Sequence, residues 1–333
     1  MKYAIGILAA AAGCGGCDGG AGGIELLNVS YDPTRELFKG INQAFVRTAA
    51  ATHVRGVGVK TSHGGSGAQA RAVLGGLKAD VATLALAFDI DVLADKGFLP
   101  RDWQSRLPNN SCPYTSAIVF LVRKGNPKKI RGWDDLVREG VSVITPNPKT
   151  SGGARWNVLA AWGHVTLNGG SEEQARDFLA RLFGRVPVLD AGARGSSTTF
   201  IQLGMGDVLL AWESEAALAI RETGGDELEA VYPAESILAE PPVALIDRNA
   251  DARGTRAAAE EYLRFLYTDE AQEVIARAGF RPSSAATLER HRASFPPFRR
   301  LFTVKEVAGG WKEAQKKFFA AGGVFDQVYR PEE

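Results

Sequence analysis

A chain of 333 residues is long enough for two lobes of ordinary domain size, and its 45% hydrophobic content can fill both cores. Basic residues number 39 and acidic ones 38, a formal charge of +1, and no dense Lys/Arg run appears, which excludes the basic stripe of a nucleic-acid binder. "PFRRLF" and "AQKKFF" each hold one basic pair beside aromatics and read as solvated helix surface.

The chain opens with "MKYAIGILAAAAGCGGCDGGAGG". One Lys precedes an apolar run too short to span a membrane, so residues 1–23 read as a secretory signal followed by a Gly-rich tether. The Cys after "AAG" resembles the lipidation box of bacterial lipoproteins, although Ala11 stands where that box usually has Leu. Cys14 and Cys17 are the candidate lipidation sites, and a plain cleaved signal with incidental cysteines is the alternative. Cys112 alone remains in the body of the chain, so no internal disulfide is expected. Cys112 is expected to be an inert, buried or half-buried thiol. His53, His63, His164 and His291 are scattered without the spacing of a metal site. No cofactor or metal is expected.

The body begins with a strand at residues 24–29. Asp32 and Pro33 then mark a helix start, with the Asp32 carboxylate expected to cap it. Leu37, Ile41 and Phe45 recur on one helical face. "VGVKTS" predicts a second strand, "AQARAVLGGLKA" a helix and "DVATLAL" a third strand. Strand–helix–strand–helix–strand is the pattern of a parallel α/β sheet. Residues 114–124 predict a long apolar strand, after which the pattern restarts. "GVSVITPNP" reads as a strand and residues 154–162 as a helix. A polar helix follows at about 171–183, then the strand "DVLLAW". "PPVALIDR" predicts one more strand, ahead of the amphipathic helices "TRAAAEEYLRFLY" and "DEAQEVIARAG". A second α/β unit is thus inserted into a first. Residues 24–117 and 241–333 form one lobe, 118–240 the other, and strands near 114–122 and 241–247 form the hinge.

Four turns carry anion-binding character: Asp32 after "NVSY", Ser66 in "SHGGSGAQA", Ser151-Gly152-Gly153, and Ala193 in "DAGARGSSTTF". Each follows a strand and opens a helix. Unpaired N–H groups and the positive end of the helix dipole meet there. Glycine lets a ligand approach bare backbone. Trp212, ending "DVLLAW", adds an indole N–H that can only donate. Enzyme signatures are weaker. There is no P-loop, "GGSGA" lacks the last Gly of a nucleophile elbow, and no His–carboxylate pair stands out. Glu213 and Glu215 read as helix-start or surface residues.

"NVSYDPTRELF", "SHGGSGAQARAVL", "WQSRLPNNS", "ITPNPKTSGGARWN", "GARGSSTTF", "DVLLAWESEA" and "FTVKEVAGGW…GGVFDQVY" together resemble the sulfate- and thiosulfate-binding proteins of bacterial ABC uptake systems. The resemblance runs from residue 24 to about 329. It implies an α/β, two-lobed periplasmic-binding-protein fold of type II, each lobe a mainly parallel sheet flanked by helices. It also implies a monomeric, extracytoplasmic receptor, no enzyme, that passes sulfate to ABC permease subunits and touches the membrane only through a lipid anchor. Carried onto this sequence, the motifs imply backbone N–H donors at Asp32, Ser66, Gly152, Gly153 and Ala193, a hydroxyl from Ser151 and the Trp212 indole. Cys112 departs from the small residue usual in its motif.

Hydrogen bonds to a charged group contribute about 1.5–3 kcal/mol each. Several of them, less the cost of desolvation and closure, fit roughly −8 kcal/mol, or micromolar affinity. Phosphate still carries a proton, and donor-only walls leave that O–H unsatisfied. Thiosulfate, molybdate or tungstate receptors are the nearest alternatives, and an anion-dependent transferase is the alternative from another class.

Overall fold

The computed structural model describes residues 23–51 and 56–329. Cys14, Cys17, His53 and the leader up to residue 22 lie outside them.

The first unit runs β1 (Glu25–Tyr31), α1 (Arg35–Ala51), β2 (Gly58–Gly64), α2 (Ser66–Leu74), β3 (Val81–Thr83) and α3 (Ala87–Asp95). A short turn of helix, α4 (Pro108–Ser111), leads into the second unit. That unit holds β4 (Tyr114–Arg123), β5 (Val143–Pro146), α5 (Gly152–Thr166), α6 (Glu172–Phe183), β6 (Leu189–Asp190), α7 (Ala193–Ile201), β7 (Val208–Trp212), α8 (Glu213–Glu222), β8 (Leu228–Val231) and β9 (Glu235–Ala239). The chain then returns through β10 (Val243–Leu245), α9 (Asp247–Arg253), α10 (Arg256–Phe265) and α11 (Asp269–Arg277). It ends with β11 (Arg281–Pro282), α12 (Ala285–Arg290), β12 (Arg300–Phe302), α13 (Val304–Ala308), α14 (Trp311–Ala314) and α15 (Val324–Val328).

Two sheets result. The first has the order β10-β3-β1-β2, with β1 parallel to β2 and β3, and β10 antiparallel to β3. The second has the order β12-β9-β4-β7-β5-β6, with β8 and β11 also pairing along β4. The expected α/β architecture is present, with helices filling the strand-to-strand crossings. Leu37, Ile41 and Phe45 on α1 are all buried against the first sheet's core, as their spacing requires. Ser171 and Gln174 form a capping box that starts α6.

Four differences from the sequence reading have physical causes. The second sheet is mixed, because β4 enters it directly from the first unit and runs antiparallel to β7, β8 and β9. β4 and β10 do not pass between sheets; each lies within one, and the crossings fall in the short segments before β4 and between β9 and β10. β12 pairs with β9, so the chain's last stretch joins the second sheet although 241–333 was expected with the first. Finally, "DVATLAL" and "PPVALIDR" form only three-residue strands, since α3 begins at Ala87 and α9 at Asp247. Both runs are apolar because they are buried from all sides, which periodicity alone does not distinguish from a longer strand.

Candidate functional site

The carboxyl ends of β1, β2, β5, β6 and β7 face one another across the gap between the sheets, where open α/β sheets hold their ligands. Asp32, Ser66, Ser151, Gly152, Gly153 and Ala193 all line one small pocket. Trp212 lines an adjoining small pocket that shares Gly153 and Ala193 with the first. All seven candidate residues are therefore brought together. Both pockets are far smaller than the ~300–1,000 Å³ of organic-ligand sites and exclude a ligand of that size.

Each helix start has its own local cause. Tyr31, Gly65 and Gly192 occupy the N-cap positions before Asp32, Ser66 and Ala193, and none supplies a side-chain cap. The first N–H groups of those helices have no partner within their helix. Ser151 caps α5 by accepting from the N–H of Ala154 at 3.3 Å, which leaves its hydroxyl hydrogen free to donate. The Ser66 hydroxyl points elsewhere: it donates to Asp89 at 2.5 Å and accepts from the Ala85 N–H at 3.1 Å. Only its backbone N–H is left for the pocket. Asp89 is buried, and burial raises its carboxyl pKa while the Ser66 bond opposes the rise.

Trp212 is 1% exposed, and its Nε1 has no hydrogen-bond partner among the described residues. Three other buried indoles are satisfied: Trp103 donates to Asp91, Trp133 to the Glu235 carbonyl and Trp156 to the Ala85 carbonyl. The Trp212 ring is fixed by Tyr31 at 5.5 Å and Trp156 at 6.3 Å between centroids. A buried donor left unpaired costs about 1–3 kcal/mol.

The two glycines are required by closeness. A Cβ on Gly152 would stand 2.9 Å from the Ser66 Cβ, across the cleft, and one on Gly153 would stand 3.1 Å from the Trp212 Nε1. The two sides also meet through the Trp156–Ala85 bond of 3.0 Å and, at the rim, through an Arg194–Glu36 ion pair of 2.6 Å. The cleft is closed.

Asp32 differs from expectation. It does not cap its helix; Tyr31 holds the N-cap position and Asp32 sits inside the first turn, its carboxylate 3.9 Å from Arg35. The segment starts as a turn of 3₁₀-helix, which moves the cap back by one residue. Glu213 and Glu215 do start a helix, but neither is a solvated surface group. Glu213 is buried in a pair with Arg281, and burial pushes the Glu215 carboxyl up to about 7. Cys112 is 4% exposed, and burial drives its thiol far above the ordinary range, which leaves it inert.

Several lining residues escaped sequence reasoning. Gly64, Gly65 and Gly192 lay inside the quoted motifs, and Tyr31 immediately precedes Asp32. Asn157 and Ser196 line the second pocket, each with a buried, unpartnered side-chain oxygen. Asn157 stands four positions after Gly153, on the same helical face, and that spacing was the available signal.

Residues 26–281 match the family described as bacterial extracellular solute-binding protein. The chain is 54% identical over 306 residues to the sulfate-binding protein of Salmonella typhimurium, covering 92% of this chain and 93% of that one. It is 48% identical over 330 residues to the thiosulfate-binding protein of Pseudomonas aeruginosa, covering 99% and 98% respectively. Among solved structures, the sulfate-binding protein SubI from Mycobacterium tuberculosis is similar with a TM-score of 0.80 at 34% identity, covering 89% of this chain and 99% of that one.

Proposed function

The chain belongs to the bacterial extracellular solute-binding proteins, as a member of their sulfate- and thiosulfate-binding group, and we propose that it closes on sulfate and hands it to the permease of an ABC uptake system. It is a binding protein, not an enzyme, like the relatives it matches. The observation that carries the reading is the buried Trp212 N–H, which lacks an acceptor in the midst of uncapped helix starts. A fully ionised tetrahedral anion supplies the missing acceptors.

In this reading the N–H groups of Asp32, Ser66, Gly152, Gly153 and Ala193, the Ser151 hydroxyl and the Trp212 indole hold the anion. The first-sheet and second-sheet halves act as lobes that part for entry and meet around the ion, pivoting on the two crossings next to β4 and β10. The protein works as a monomer outside the cytoplasm, released by its signal segment or held by a lipid on Cys14 or Cys17. No helix among the described residues is long and apolar enough to cross a membrane.

Thiosulfate is the second reading. The cage continues on one side into the pocket behind Gly153 and Ala193, and the Pseudomonas relative carries that name.

Titration calorimetry of the purified protein with sulfate, thiosulfate, molybdate and phosphate at pH 7, followed in parallel by Trp fluorescence, tests the proposal. Sulfate or thiosulfate should bind near micromolar. Phosphate should bind about 5- to 150-fold more weakly, the equivalent of one unsatisfied buried hydroxyl. Silence towards every oxyanion would end the reading, and phosphate binding as tightly as sulfate would end the donor-only account of selectivity.

A further inference from the structure

Directly behind the indole of Trp212, the next residue carries an ion pair that the anion donors do not use. Glu213 and Arg281 form a two-bond fork, Nε to Oε2 at 2.8 Å and Nη2 to Oε1 at 2.8 Å. Their side chains are 2% and 12% exposed. Arg281 also donates to the Pro296 carbonyl at 2.7 Å and lies over the rings of Phe295 and Phe298. The guanidinium is thus fixed on several sides, and the planar fork transmits that fixity to Glu213.

The location gives the pair its meaning. Glu213 is the first residue of α8, and Trp212 is the residue before it. Arg281 belongs to β11, which pairs with Tyr114 and Thr115 at the entry of β4. Gln272, on the preceding helix α11, donates to the Pro113 carbonyl at 2.9 Å, and α11 reaches α1 through the Thr48–Glu270 bond of 2.9 Å. α1 is the helix that continues from Asp32. A continuous set of contacts therefore joins one end of the pocket, at Asp32, to the other, at Trp212, and passes behind the cleft beside a crossing between the sheets. Gly279, at φ +85°, lies against the first turn of α8, where a Cβ built on it would stand 3.1 Å from the Ser214 Cα.

We infer that Arg281 is a positioning residue for the anion site, holding Glu213 so that the Trp212 N–H points into the pocket and meets the Asp32 side in register when the lobes close. The inference rests on the anion-binding reading above. An anion cage tolerates only a few tenths of an ångström of error in its donors, and a single β7-to-α8 junction would not supply that by itself.

The test uses full-length R281M, R281K, E213Q and the E213Q/R281M double variant. Sulfate affinity is measured by calorimetry well below each variant's unfolding midpoint, and the Trp212 indole N–H resonance, assigned with W212F, is followed through the titration. R281M and E213Q should each weaken sulfate at least about tenfold, the loss of one well-aimed bond to a charged ligand, and shrink the sulfate-induced shift of that resonance. The double variant should be no worse than the worse single one, because the pair acts as a unit. R281K, which keeps the charge and loses the fork, should fall in between and serves if R281M does not fold. Variants that melt earlier but bind sulfate with wild-type affinity and an unchanged indole shift would overturn the inference and leave the pair a structural brace. Failure of the wild type to bind any oxyanion would instead overturn the anion-binding reading itself.

Discussion

Helix starts on the outside of the molecule and helix starts around the cleft are built differently. On the outside, Ser171, Thr268, Ser284 and Thr303 each accept a backbone N–H through a side-chain oxygen. Around the cleft, Tyr31, Gly65 and Gly192 hold the same position and offer none. Ser151 is intermediate, since it caps Ala154 and keeps its own hydroxyl hydrogen. A missing cap alone marks nothing, because α9 also starts uncapped behind Ile246. What sets the cleft apart is that its bare starts share a pocket with glycines, and an unpaired indole lines the pocket adjoining it. Under the proposed function, stability that the outer helices draw from their own side chains is left, in the cleft, to the anion.

Substitutions on the two sides of this contrast should separate. Gly152→Leu should have the largest effect: its side chain would wedge against Ser66 across the cleft and abolish sulfate binding in calorimetry, with the unliganded melting temperature nearly unchanged. Wild-type affinity in that variant would contradict the closed geometry. Trp212→Phe comes next, with packing kept and the donor removed; sulfate should bind about 10- to 150-fold more weakly. An unchanged dissociation constant would remove the indole from the site. Ser151→Ala should weaken binding about tenfold and also cost about 1 kcal/mol of stability, seen in denaturant titration, because one oxygen serves both purposes. Ser171→Ala should cost about 1 kcal/mol of stability and leave sulfate affinity alone. If it altered affinity as much as Ser151→Ala, the division between outer and cleft starts would collapse.

Local signals account for what could be read from the chain. Asp32-Pro33, the glycines of "HGGSG" and "TSGGA", and Trp212 at the end of an apolar strand each announce a helix start or a lone donor, and all seven residues meet in the structure. The α1 face was legible from the spacing of Leu37, Ile41 and Phe45 for the same reason. What stayed hidden was long-range. Nothing near Arg281 points to Glu213, since no periodicity links residues so far apart in sequence. The pairing of β12 with β9, and the mixed directions around β4, depend on how the chain returns rather than on any local pattern. The cap falls at Tyr31, one residue before Asp32, because the segment begins as 3₁₀ and no local pattern marks that shift.

The pairing of β10 with β3 has a consequence for how this protein is made. Val243 meets Thr83, so the first sheet cannot be completed until the whole of the second unit has left the ribosome. Until then β3 presents Val81, Ala82 and Thr83, all buried in the finished protein, as an open edge. Contacts this distant also close slowly. For most of its synthesis, then, the chain has no complete first lobe to fold into.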